Sequence, residues 1–115
     1  MFPKKRWEKH AIEDWMSFEE NGKYVTLRLS GELGYFAVPV LENALQGFIA
    51  SHKNTSLWVD LRGVSAITDS RIISIFTQAH RNAEKRKIQL QLLGCNHTVR
   101  RVFQTVKAPE ALFAD

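Results

Sequence analysis

Thr68, Asp69 and Ser70 stand side by side before a run of apolar residues at helical spacing, with Arg71 directly after them. Short side-chain oxygens of this kind accept hydrogen bonds from the free N–H groups of a helix's first turn, so the stretch predicts a helix N-terminus. The same stretch displays two hydroxyls, a carboxylate, and a long cation able to pair with that carboxylate or with a partner. An exposed pair of that sort adds little to stability, which leaves recognition as the use of Arg71.

Residues that perform catalysis or hold metals do not assemble elsewhere. The four histidines, His10, His52, His80 and His97, include no i, i+4 pair and no accompanying carboxylate cluster, so no metal site is expected. His80 falls on or near a buried helical stripe and reads as a satisfied boundary residue. Cys95 is the one cysteine and reads as a small buried hydrophobe near a strand end. Neither a Ser-His-Asp order, a glycine-rich phosphate loop nor a catalytic carboxylate pair is present. The expectation is a protein that is not an enzyme and carries no cofactor.

The elements that must position Thr68 to Arg71 follow from periodicity. Two alternating stretches between Asp14 and Leu33 flank Asn21-Gly22, a dipeptide suited to a tight hairpin turn. In the second, Val25, Leu27 and Leu29 share one face and Tyr24, Thr26 and Arg28 the other. Leu41, Leu45, Phe48 and Ile49 recur at helical steps from Pro39 to about Ser51, and Leu57 to Leu61 suits a central strand with Trp58 in the core. A polar turn containing Gly63 is expected next, then the helix opened by Thr68 to Ser70, with Ile72, Ile73, Ile75, Phe76, Ala79 and Ala83 as its buried stripe. Ile88 to Leu93 reads as a strand, Asn96 as the cap of a last helix carrying Val99, Val102, Phe103 and Val106, and Pro109 as its end. The order β-β-α-β-α-β-α predicts an α/β domain: a mixed sheet with βαβ crossovers and helices mainly on one face.

At 115 residues, 44% apolar and with three Trp and seven Phe, the chain suits one domain with a real core. No apolar run approaches the roughly 20 residues of a membrane span, and no secretory apolar segment follows MFPKKRWEKH, so a cytoplasmic location without membrane insertion is expected. The net charge of +4 gathers at Lys4 to Lys9, Arg81 to Lys87, and Arg100 with Arg101; this modest excess predicts neither nucleic-acid nor membrane binding. Residues 1–13 read as a basic arm and 14–115 as the folded domain.

Three stretches carry a family likeness: LRLSGELG at Leu27 to Gly34, LWVDLRGVSAITDSR at Leu57 to Arg71, and LQLLGCNHTVRRVF at Leu90 to Phe103. In order and spacing they resemble the landmark segments of STAS domains over about Asp14 to Phe113. The resemblance implies a single STAS-like domain with a four- to five-stranded sheet. It also implies a signalling role of the anti-sigma factor antagonist type, in transcription regulation. Such modules dock on an anti-sigma factor or serine-kinase-type protein through the loop before the first helix and the start of the second. The positions so implicated are Gly34, Tyr35, Phe36, Thr68, Asp69, Ser70 and Arg71. The alternative is a STAS-type accessory subunit bracing the ATPase of a membrane ABC transporter. A third class, an enzyme or ligand-binding protein sharing the topology alone, would require a deep polar pocket. Self-association as a homodimer through the sheet face or the basic arm is left open.

The likeness breaks at the switch. Family members carry Asp-Ser-Ser/Thr-Gly eight residues after the aspartate that ends the central strand, here Asp60, so Thr68 falls at the family's aspartate and Asp69 at its phosphorylated serine. Ser70 then matches the next hydroxyl, Arg71 the glycine, and Gly34 an often acidic position after the GEL segment. Three readings of Asp69 stand: a fixed charge mimicking phosphoserine, a helix cap, or a bystander to phosphorylation shifted onto Ser70 or Thr68.

Overall fold

The computed structural model describes residues 9–114, with side chains from residue 14 onward. Alternation drives the first part of the sheet. β2 (Met16–Asn21) and β3 (Tyr24–Leu33) pair antiparallel from Asn21 opposite Tyr24 to Met16 opposite Leu29. The two-residue loop between them is Gly22-Lys23, one position beyond the expected dipeptide, and Gly22 takes the positive φ of 66° that the turn requires. β1 (Lys9–Glu13) adds an antiparallel edge to β2. Five residues assigned from sequence to the basic arm therefore belong to the sheet.

β4 (Ser56–Ile67) lies parallel to β3, and β5 (Gln89–Leu93) parallel to β4, giving one mixed sheet in the order β1-β2-β3-β4-β5. The polar turn expected at Gly63 is absent: the strand runs through it. Two register shifts insert extra residues in β4 opposite β3, after Asp60 and after Val64. The inward positions accordingly step from Leu57, Val59 and Leu61 to Val64 and then Ile67, which disguises a long strand as a short one followed by a loop.

The helices are α1 (Ala37–Ser51), α2 (Ser70–Glu84) and α3 (His97–Thr105). Leu41, Leu45 and Phe48 of α1, Ile72 and Phe76 of α2, and Phe103 of α3 are fully buried with the inward residues of β3, β4 and β5. At roughly 1.5–3 kcal/mol for each such side chain, this shared layer stabilises all the helices together. It also overrides the low intrinsic helix propensity of the three isoleucines in α2. Asn96 caps α3 as expected, accepting from Val99 N at 2.7 Å, while its amide donates to Val64 O at 3.0 Å and ties the helix to the extension of β4. α3 ends at Thr105, and a left-handed Lys107 turns the chain back before Pro109. Leu112 is then buried, and Ala114 donates to Leu92 O, closing the outer edge of β5.

The other face of the sheet carries no helix among the described residues. Trp58 sits there, half-buried beside Thr26, Arg28, Asp60 and Arg62, not in the core as its strand position suggested. Alternation explains the difference: Leu57 and Val59 take the inward face, so Trp58 must take the other.

Candidate functional site

β3 and β4 run in the same direction and end together, with Leu33 opposite Ile67. Beyond that pair, Thr68 N donates to Leu33 O at 2.9 Å, pinning the two exit loops side by side. A Cβ on Gly34 would lie 3.0 Å from Thr68 Oγ1, so the bare glycine permits this approach. The next turn winds directly into α1, because Ala37 and Val38 donate to Gly34 O and Tyr35 O. Tyr35 is left 76% exposed and Phe36 51% exposed. Phe36 leans edge-on against the half-buried Trp15, ring centroids 5.8 Å apart.

Asp69 is the N-cap of α2, in extended conformation, as its type and place predict. Its Oδ1 accepts from Arg71 N at 2.9 Å and from Arg71 Nε at 3.0 Å, while Oδ2 accepts from Arg71 Nη2 at 2.7 Å. The guanidinium's hydrogen bond, aided by the backbone N–H, holds the carboxyl down to about 2, so Asp69 is ionised at every physiological pH. The cap and the cation are thus one unit, and the carboxylate's charge is matched at contact distance. Ser70 opens the helix, exposed. Thr68 Oγ1 lies 3.5 Å from Leu33 O, at the limit of a hydrogen bond. All seven residues implicated from sequence therefore gather at the carboxyl ends of β3 and β4.

A second cluster was not anticipated. On the helix-free face Asp60, 5% exposed, accepts from Arg62 N and Nε at 3.0 Å, from Arg62 Nη2 at 2.8 Å and from Arg28 Nη1 at 3.1 Å. Arg28 reaches on to Glu19 at 2.8 Å, so the row crosses three strands with alternating charge. Arg62's side-chain hydrogen bond is the main cause that holds Asp60 below the ordinary carboxylate range, against the opposing effect of burial. The available signal was Asp60 and Arg62 two apart on one strand face; the register that sets Arg28 opposite Asp60 was hidden.

The remaining candidates take structural places. His80 is buried and its Nδ1 donates to Leu90 O at 3.1 Å, joining α2 to β5. Cys95 packs partly buried against the core at the end of β5. Among the described residues no three His, Cys, Asp or Glu side chains could hold a metal ion, and no helix is long and apolar enough to cross a membrane.

Comparison with known proteins follows the same outline. The family profile described as "Mlab, STAS domain" matches residues 16–109. The fold is similar to that of the anti-sigma factor antagonist SpoIIAA in its unphosphorylated form, with 24% identity, 79% of each chain covered and a TM-score of 0.67. It is also similar to a putative anti-sigma factor antagonist from Thermotoga maritima (17% identity, 77% of this chain and 75% of that one, TM-score 0.68). A third similar structure is an anti-sigma factor antagonist from Mycobacterium paratuberculosis (17%, 84% and 81%, TM-score 0.66). No curated protein sequence matches the chain.

Proposed function

The chain belongs to the STAS domain family, and from that premise we propose that it is a non-enzymatic docking module whose contact surface is Gly34 to Phe36 together with Thr68 to Arg71. The observation that carries this reading is the bond from Thr68 N to Leu33 O, which sets an exposed Tyr35 and Phe36 beside the charged tip of α2. Exposed aromatics next to a rigid polar helix end form an anchor with a specifying rim. The proposed partner is an anti-sigma factor or serine-kinase-type protein, in keeping with the antagonists whose fold the chain shares.

Asp69 bears on how such docking is controlled. A phosphoserine mimic must present unmatched negative charge, whereas this carboxylate spends both oxygens on Arg71. Capping is the role this geometry favours, with docking constitutive at that position; Ser70 and Thr68, both exposed, are the hydroxyl residues left at the tip. The same neutral pair favours a second reading, a permanent accessory subunit on the ATPase of a membrane transporter, which needs no switch.

The test is affinity capture with the full chain as bait, with and without ATP, comparing wild type, Tyr35→Ala and Asp69→Ser. Wild type should hold an anti-sigma or kinase-fold protein regardless of ATP, and Tyr35→Ala should weaken it by roughly tenfold or more. Asp69→Ser should bind it without ATP and release it once phosphorylated. Recovery of a transporter ATPase selects the second reading, and full binding by Tyr35→Ala places the contact surface elsewhere.

A further inference from the structure

The end of the domain opposite the docking loops has a distinct electrostatic character. There the strands begin and the helices finish: Thr55 Oγ1 donates to Lys23 O at 3.0 Å, Asn54 N to Arg86 O at 3.1 Å, and Gln89 N to Thr55 O at 2.9 Å. These bonds knit the β2–β3 turn, the α1–β4 loop and the α2–β5 loop into one surface. It displays Lys23, Lys53, Lys85, Arg86 and Lys87, with Arg81 one turn earlier on α2, all exposed. Among the described residues, Glu20 and Glu84 are the carboxylates of that end. Six of the sixteen cations thus meet two of the twelve carboxylates, an excess of four that equals the formal net charge of the whole chain.

Helix C-termini attract cations, and Arg86 serves that purpose, donating to His52 O at 2.9 Å and Ala50 O at 3.3 Å across the end of α1. The other five cations make no ion pair or side-chain hydrogen bond with any described residue. The partial charges of two helix ends offset about one unit of the excess, leaving a pole of about +3.

We propose that this pole rests on an anionic lipid surface. Four of its six cations are lysines, point charges on flexible stems that suit a diffuse field of headgroups rather than one fixed phosphate. A cluster of four to eight basic residues is the composition that acidic bilayers attract. Tyr24, 38% exposed beside Lys23, is the one exposed aromatic ring at this end among the described residues, and a single ring does not make the row on which successive nucleic-acid bases stack. Because α2 spans about 22 Å from its capped start to this pole, a chain held so would present Tyr35, Phe36 and the α2 tip away from the membrane. The inference does not depend on the partner proposed above.

Flotation of the full chain with vesicles of phosphatidylglycerol and phosphatidylcholine tests it, against vesicles of phosphatidylcholine alone. Binding should require the acidic lipid and fall steeply as salt rises from about 0.1 M to about 0.5 M. Each lysine near such a surface is worth about fivefold in partitioning, so Lys53→Gln, Lys85→Gln and Lys87→Gln together should weaken binding at least tenfold. These exposed sites leave the fold, read by circular dichroism, and partner capture unchanged. Equal binding to neutral vesicles, no binding at low salt, or binding that survives the triple substitution would each overturn the proposal. So would a tighter hold on duplex DNA than on the acidic vesicles.

Discussion

Replacing Asp60 with Asn removes the one negative charge that faces both Arg28 and Arg62. The carboxylate accepts four N–H bonds of 2.8 to 3.1 Å. An amide of the same shape keeps one acceptor oxygen and turns an NH2 toward the donors that converge on Oδ2, Arg62 Nη2 and Arg28 Nη1. Both guanidiniums remain partly exposed, at 43% and 65%, so water restores much of what they lose. The penalty of about 3–5 kcal/mol for stranding a fully buried charge therefore does not apply. Two lost bonds to a charged acceptor, each about 1.5–3 kcal/mol, leave about 2 kcal/mol after that resolvation. With a urea dependence of about 1–1.5 kcal/mol per M for so small a domain, the unfolding midpoint should fall by about 1.5 M at neutral pH. The sign with pH follows from the depressed carboxyl. Its stabilisation is complete above the unfolded value of 3.8 and drains away as pH falls through the lower folded value. The gap between wild type and Asp60→Asn should hold steady from about pH 8 to about pH 5 and close below about pH 4. A midpoint shift under about 0.3 M at neutral pH, or a gap as wide in acid as at neutrality, would refute the reasoning.

Two further outcomes test other parts of the structure. Arg71→Ala should raise the Asp69 carboxyl from about 2 toward its ordinary 3.8, read by carboxyl NMR titration, because the guanidinium's hydrogen bond is the largest cause of the depression. An unmoved titration would mean that the backbone cap alone holds it. Phe103→Ala should cost about 3–5 kcal/mol in thermal or urea unfolding, since this fully buried ring packs on Phe76 at 6.1 Å and Phe113 at 5.5 Å; a loss under about 1 kcal/mol would mean α3 is not part of the core.

The hairpin, the three helices and the caps at Asp69 and Asn96 were all legible, because each is written in side chains a few residues apart. Period-two alternation in Tyr24 to Leu29 and the helical recurrence of Leu41, Leu45 and Phe48 need no knowledge of what they pack against. The long β4 was not legible: its inward residues step by three at each bulge, and a bulge exists only relative to the strand it faces. β1 escaped as well, being five residues whose strand character lies in backbone pairing to β2.

The sequence by itself determined the fold class, the family landmarks and the identity of the residues at the α2 tip. Tertiary structure alone decided which of these meet. Leu33 and Thr68 are bonded across thirty-five positions, Arg28 and Asp60 across thirty-two, and Lys53 shares a surface with Lys87 because both helices end where the strands begin. Local periodicity is set by the geometry of one segment, whereas proximity between distant segments is set by strand register and by the direction of the βαβ crossovers. Those are properties of the closed sheet, and no window of the chain contains them.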